Sequence, residues 1–190
     1  MELKDRTQGI TKEKIATLGE VLLLVKGQCK VLVEMKCSRH KIGFRNVYYP
    51  KMSELLLEEL QRHTDWESWV WVQSFHDRYL HECRKLHSGV VLHKLALIYR
   101  NTLFGPFFVD MDGMYGSSLV NAQSVKQCKV ASVNLHHSSI TTELVKLLHA
   151  AGLTIFAWTV DDVAVARKLE DMGVDGIISN CPRLMREEKK

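Results

Sequence analysis

A chain of 190 residues and 21.8 kDa supports one domain with a sizeable core and leaves little room for two. Its 46% hydrophobic and 25% charged residues, with 11 glycines and 3 prolines, exclude disordered, collagen-like and linker material. Lys and Arg total 26 against 22 Asp and Glu, a mild +4, and no basic run interleaves with aromatics, so nucleic acid is not an expected partner.

The predicted elements alternate along the chain. Short apolar, β-branched runs read as strands buried on both faces: Val31–Met35, Val70–Ser74, Val90–Leu92, Val130–Val133, Thr154–Trp158 and Val174–Ile178. Helical patterns lie between them. Leu55, Leu56, Leu57 and Leu60 give Lys51–His63 an apolar face. Leu144, Leu147 and Leu148 do so before Gly152, and Val163, Val165, Ala166 and Leu169 before Gly173. Thr141 and Asp161 are the expected N-caps of the last two helices. The Leu103–Met111 stretch reads as a buried strand or helix, with a lid or interfacial loop as the other option. The tail from Arg186 to Lys190 is a charge run outside the single domain expected over 1–185.

Strand starts at 31, 70, 90, 130, 154 and 174 are 39, 20, 40, 24 and 20 residues apart, the rhythm of about six βα units. A closed (β/α)8 barrel takes about 250 residues. The expectation is therefore an α/β fold: a smaller open sheet, or a TIM-type (β/α)8 barrel lacking about its first two βα units.

No apolar run is long enough to span a membrane. Met1-Glu2-Leu3-Lys4-Asp5-Arg6 is too charged for a signal peptide, and a cytoplasmic location is expected. Cys29, Cys37, Cys83, Cys128 and Cys181 are scattered and form no CxxC pair, which points to free thiols rather than a zinc ribbon.

Glu34 is the most informative residue for chemistry. It interrupts an otherwise apolar strand, where a carboxylate is costly without a metal or a cation beside it. Lys36 is two residues on and shares its face. The pair serves either a site at the strand's C-terminal end or a structural ion pair. Ser74 ends the second strand without a GxSxG elbow, so backbone capping or a pocket wall suits it better than nucleophilic attack. Trp158 ends the fifth strand and can stack on a ligand or fill the rim, whereas Trp66, Trp69 and Trp71 read as packing. His81, Cys83 and His87 offer a zinc reading or a solvated helix face, the second preferred. His136 and His137 follow a strand end and are candidates for the mouth. Asp110-Met111-Asp112-Gly113 after an apolar run is the weaker rival, similar to the nucleophile motif of haloacid-dehalogenase-like phosphatases.

Read together, the strand ends resemble the glycerophosphodiester phosphodiesterase family. Ile15–Leu22 is similar to its IPTLEEVL helix, and Val31–Lys36 to its IEIK strand. Val72–Phe75 resembles its QSF strand end, Ala157–Asp161 its WTVN, and Gly173–Pro182 its GVDGIITDxP. Asp5-Arg6-Thr7 resembles the RTT that follows the family's His-Asp motif. The resemblance implies a (β/α)8 barrel that hydrolyses glycerophosphodiesters to glycerol 3-phosphate and an alcohol. It implies a divalent metal, calcium or magnesium, with Glu34 as one carboxylate ligand. It also implies a small-molecule substrate bound by Lys36, Ser74 and Trp158. The family's HRG, ENT, ExD and HD motifs, which supply both acid/base histidines and two further metal ligands, have no counterpart here; His76-Asp77 sits in the QSF loop instead. The expected function is thus an impaired metal-dependent phosphodiesterase with a weakly held metal. The alternative is a non-catalytic protein that binds a phosphate-bearing ligand or a partner chain. Open barrel edges would also allow a homo-oligomer.

Overall fold

The structure, a computed structural model, describes residues 3–5, 9–11, 14–36, 38–42, 45–47, 51–101, 105–109, 115–117 and 129–183, with side chains over 14–36, 51–76, 78–93 and 129–183. In chain order, β1 (Leu3–Asp5) and β2 (Gly9–Thr11) form a small antiparallel pair before α1 (Leu18–Val25). Then come β3 (Val31–Glu34), the antiparallel pair β4 (Ser38–Ile42) and β5 (Arg45–Val47), α2 (Met52–Leu60), β6 (Val70–Ser74) and α3 (Asp77–Leu86). An antiparallel excursion follows: β7 (Val91–Asn101), β8 (Gly105–Val109) and β9 (Tyr115–Ser117). The chain closes with β10 (Ser132–His136), α4 (Thr142–Ala150), β11 (Thr154–Trp158), α5 (Val163–Asp171) and β12 (Gly176–Ile177).

The sheet carries six parallel strands in chain order, β3-β6-β7-β10-β11-β12. Consecutive strands that are parallel neighbours, four of the five connections carrying a helix among the described residues, are the topology of a TIM-type barrel. The strands match the six predicted runs, and β3 and β12 are its outer members. The expected partial barrel is what the chain forms.

Alternation sorts each strand into two faces. Val31, Val33, Val70, Val72 and Leu92 pack with Leu56, Leu57, Leu60, Tyr79 and Leu80 of α2 and α3. Val133, Leu135, Ile155, Ala157 and Ile177 pack with Leu144, Val145, Leu148, Ala166 and Leu169 of α4 and α5. Leu153 touches both groups and joins them. This helix-side burial is the main driving force for the fold. The other strand face lines the barrel interior.

Local chemistry fixes the helix ends. Thr17 and Glu20 close a reciprocal capping box on α1, and these hydrogen bonds hold the Glu20 carboxyl below its usual pKa. Thr141 caps α4 as expected, its hydroxyl accepting from the Leu144 amide at 3.3 Å. Gly152 and Gly173 take φ of +73° and +88°, the left-handed turn that ends α4 and α5 and that side chains resist.

Three expectations need correction. The N-cap of α5 is Asp162, whose carboxylate accepts from the Val165 amide at 3.0 Å. Asp161 instead accepts from the Asn180 amide (2.7 Å), the Asn180 side chain (2.9 Å) and the Ser179 hydroxyl (2.9 Å), tying down the segment after β12. The third predicted strand is 11 residues long rather than three, because its second half leaves the parallel sheet to pair with β8. Cys83 is not on a solvated helix face: it is fully buried on the inner side of α3, its Sγ 3.8 Å from Met35 Sδ. Burial pushes that thiol up to about 11.

The Leu103–Met111 stretch contains strand β8, but its side chains lie outside the described residues, as do Asp110–Gly113 and the tail from Arg186. The phosphatase motif needs its aspartate at the C-terminal end of a parallel strand; β8 is antiparallel. Among the described residues, no helix is long and apolar enough to cross a membrane.

Candidate functional site

In a parallel barrel the ligand-binding end is where the strands finish. The interior face there is built in layers from alternate positions on neighbouring strands. The middle layer is polar. Gln73 of β6, His93 of β7 and Ser132 and Asn134 of β10 are all buried. They form one chain of hydrogen bonds. The Ser132 hydroxyl donates to Asn134 Oδ1 at 2.6 Å, and Asn134 Nδ2 donates to Gln73 Oε1 at 2.8 Å. Because the Ser132 proton is committed to Asn134, its oxygen accepts from His93 Nδ1–H. His93 is therefore the neutral Nδ1 tautomer, and its Nε2 is a buried acceptor without a partner among the described residues. It stacks on Trp71 at 4.9 Å, and burial lowers its pKa to about 4.

Above this layer lies the mouth. Glu34 ends β3, opposite Gln73 in register, and Lys36 follows two residues on. The Lys36 Nζ stands 3.6 Å from Glu34 Oε2; the lysine side chain is 75% exposed and the glutamate 26%. An ion pair this open contributes at most about 1 kcal/mol. Both residues line a groove of 780 Å³ that continues past Met35 and Met52 to Leu55 and Glu59 of α2. On the opposite strands, Trp158 finishes β11 and His136 finishes β10 as register partners. Trp158 Nε1 donates to the Asn134 carbonyl at 3.0 Å. Its ring meets Phe75 and His136 nearly at right angles, at 5.5 and 5.2 Å. The Asn134 carbonyl and two flanking rings thus hold the indole at the rim.

Ser74 lies elsewhere. It shares the helix-facing side with Val70 and Val72 and is fully buried. Its hydroxyl donates to the Met35 carbonyl at 2.8 Å and accepts from the His76 amide at 3.0 Å. It ties the ends of β3 and β6 together, one layer behind the mouth. Ser74→Ala is expected to lower stability by about 1–3 kcal/mol in urea unfolding, since it orphans two buried backbone groups. A loss of ligand affinity without that loss of stability would assign Ser74 to the pocket instead.

The zinc reading finds no support in the geometry. Cys83 points into the core, and His87, one residue past α3, approaches Glu67 at 3.3 Å and the Trp66 ring at 5.0 Å. Among the described residues, no three His, Cys, Asp or Glu groups converge on one point. That bears equally on a hard cation at Glu34. Calcium and magnesium take six or more oxygen ligands. The described residues bring one carboxylate to the end of β3, with an ammonium beside it. The described residues alone do not complete a site for a divalent cation.

The polar middle layer was not among the sequence candidates. Its signal was present: Gln73, His93 and Asn134 each interrupt an apolar strand, as Glu34 does.

Comparison with known proteins agrees with the fold and the strand-end motifs. The family model described as "Glycerophosphoryl diester phosphodiesterase family" matches residues 2–184. YhdW of Bacillus subtilis, assigned as a glycerophosphodiester phosphodiesterase, is 26% identical over 94% of this chain and 63% of its own length. The glycerophosphodiester phosphodiesterase of Caldanaerobacter subterraneus is 27% identical over 91% of this chain and 61% of its own. A glycerophosphoryl diester phosphodiesterase structure from Silicibacter pomeroyi superposes with a TM-score of 0.69 at 25% identity, over 90% of this chain and 55% of that one. The chain thus spans less than two thirds of the length of these relatives. A match over nearly every residue, on a parallel sheet that puts Glu34, Lys36 and Trp158 at the strand ends, settles the classification: the chain belongs to the glycerophosphoryl diester phosphodiesterase family.

Proposed function

We propose that the chain acts on glycerophosphodiesters, releasing glycerol 3-phosphate and an alcohol, at the mouth formed by the ends of β3, β10 and β11. The observation that carries this reading is the exposed Lys36 ammonium, held beside Glu34 on the strand-end face of a chain with this family's motifs. Lys36 supplies a compact positive charge to a phosphodiester anion. Glu34 orients it and offers carboxylate oxygens. Trp158 gives the glycerol carbons an apolar wall whose position is fixed by its own N–H. Ser74 supports the site by holding β3 to β6. A divalent cation belongs to this reading only if carboxylates beyond the described residues join Glu34, and no step is assigned to one here.

The test is release of glycerol 3-phosphate from glycerophosphocholine by the purified chain, with calcium or magnesium and with a chelator. Turnover lost with the chelator would show that carboxylates beyond the described residues join Glu34 around a cation; turnover that survives it would place the chemistry on the protein groups alone. Turnover is expected to fall at least about a hundredfold in Glu34→Gln, the scale on which single electrostatic groups act in hydrolytic sites. A second reading is binding without hydrolysis, favoured by the single carboxylate that the described residues bring to the end of β3. It predicts that a folded, monodisperse sample binds glycerol 3-phosphate and releases none. A folded sample that neither binds nor hydrolyses overturns both.

Two further proposals accompany this one. Cys29 and Cys181 are free and exposed, and Cys83 is free and buried, which supports a reducing compartment such as the cytoplasm. Among the described residues β3 and β12 are the outer strands of the sheet, and a second copy can associate along their edges.

A further inference from the structure

His136 lies outside the motifs that carry the family resemblance. Val133 and Leu135 belong to the helix-side core, so alternation turns Ser132, Asn134 and His136 to the barrel interior. His136 is the last residue of β10, at the strand end, directly opposite Trp158. Its ring is held from one side. Nδ1 takes the Ser138 hydroxyl at 2.8 Å, and the Ser138 amide donates to the same nitrogen at 3.4 Å. A lone pair that faces an amide N–H leaves the imidazole proton on Nε2. No protein acceptor among the described residues takes that Nε2–H, and it is not among the buried polar atoms sealed from solvent. Burial, with the His137 ring centred 4.5 Å away, holds the imidazole below its ordinary pKa, so the group is a neutral donor at pH 7.

We propose that His136 is a specificity residue of the site: its Nε2–H donates to a hydroxyl oxygen of the glycerol moiety packed on Trp158. This rests on the phosphodiester reading above. A neutral N–H beside an indole suits an uncharged polyol oxygen, whereas the Lys36 ammonium suits the phosphate. The division of labour places polyol recognition on β10 and β11 and anion recognition on β3. One ring nitrogen is fixed by Ser138, and the other has no hydrogen-bond partner among the described residues.

The experiment is calorimetric titration of the purified chain and its variants with sn-glycerol 3-phosphate and, separately, with inorganic phosphate. His136→Phe keeps a ring against Trp158 and removes the donor. It is expected to weaken glycerol 3-phosphate about tenfold, the worth of one hydrogen bond in such a pocket. Inorganic phosphate should change less than about twofold, since it lacks the hydroxyl. His136→Gln restores an N–H donor and should recover most of the affinity. Ser138→Ala releases the ring and serves as a second variant, with an expected loss of a few-fold. Glycerol 3-phosphate binding unchanged in His136→Phe overturns the proposal, as does an equal loss for both ligands. Wild-type protein that binds phosphate with no preference for glycerol 3-phosphate overturns it while leaving the anion site standing. Wild-type protein that binds neither overturns the phosphodiester reading and this inference with it.

Discussion

Acidification from pH 6.5 to about 4 is expected to remove about 3 kcal/mol of stability through His93 alone. The group is 2% exposed, stacked on Trp71, and its Nδ1–H is committed to Ser132. Its neutral form fits this place; its charged form would leave an ammonium-like Nε2–H buried with no acceptor among the described residues. The unfolded chain takes up a proton near 6.5 and the folded chain resists until about 4. The unfolded state therefore binds more protons across that window, and stability falls as pH falls through it. Above 6.5 the contribution is whole; below about 4 nothing more is lost from this residue. Asp161 acts in a lower window. Its carboxyl is held below 3.8 by hydrogen bonds from the Asn180 side chain and amide, so its contribution disappears only as the pH drops beneath that value. Urea unfolding at pH 7.5, 6.0, 5.0 and 4.0 separates the two. His93→Phe keeps the stacking on Trp71 and removes the titrating nitrogen. It should start less stable at pH 7.5 and stay flat down to pH 4.5. Parallel slopes for wild type and variant would show that the acid sensitivity comes from elsewhere.

What could be read from the residues divides along physical lines. The six strands were legible because a strand buried on both faces has to be apolar nearly throughout, and such runs are rare outside a parallel sheet. Gly152 and Gly173 were legible because a left-handed helix end leaves few other choices. Asp161 and Asp162 were not separable: both are good N-caps, and only the loop after β12, reaching back with Ser179 and Asn180, assigns Asp161 to another task. The full length of β7 was hidden by His93 and Lys94, two polar residues that read as the end of a strand and are instead a barrel interior position and its neighbour. Ser74 shows the same limit. Its place at a strand end suggested the mouth, but alternation from Val70 and Val72 turns it toward the helices. Of the candidate site, Glu34, Lys36 and Trp158 announced themselves by composition and by family resemblance. The hydrogen-bonded layer beneath them required knowing which strands are neighbours, since Gln73 and Asn134 are 61 residues apart in the chain.

That layer carries the other large effect. Asn134 is fully buried and makes a bond in each direction, accepting from Ser132 and donating to Gln73. Asn134→Ala leaves the Ser132 hydroxyl without its acceptor and the Gln73 oxygen without its donor, and opens a small cavity. Each orphaned group costs about 1–3 kcal/mol, so the variant should lose about 2–5 kcal/mol in urea unfolding. Asn134→Asp separates geometry from satisfaction. It still accepts from Ser132 but sets a carboxylate oxygen against Gln73 Oε1, so it should be as damaging at pH 7 and partly recover when protonated at low pH. The consequence reaches the mouth through the backbone. Trp158 is pinned by the Asn134 carbonyl, and His136 is the next inward-facing residue on the same strand. A variant that loosens β10 should therefore weaken glycerol 3-phosphate more than inorganic phosphate even at temperatures where it stays folded. Loss of stability without that change in ligand preference would mean that the polar layer holds the barrel together but does not set the positions of the groups above it.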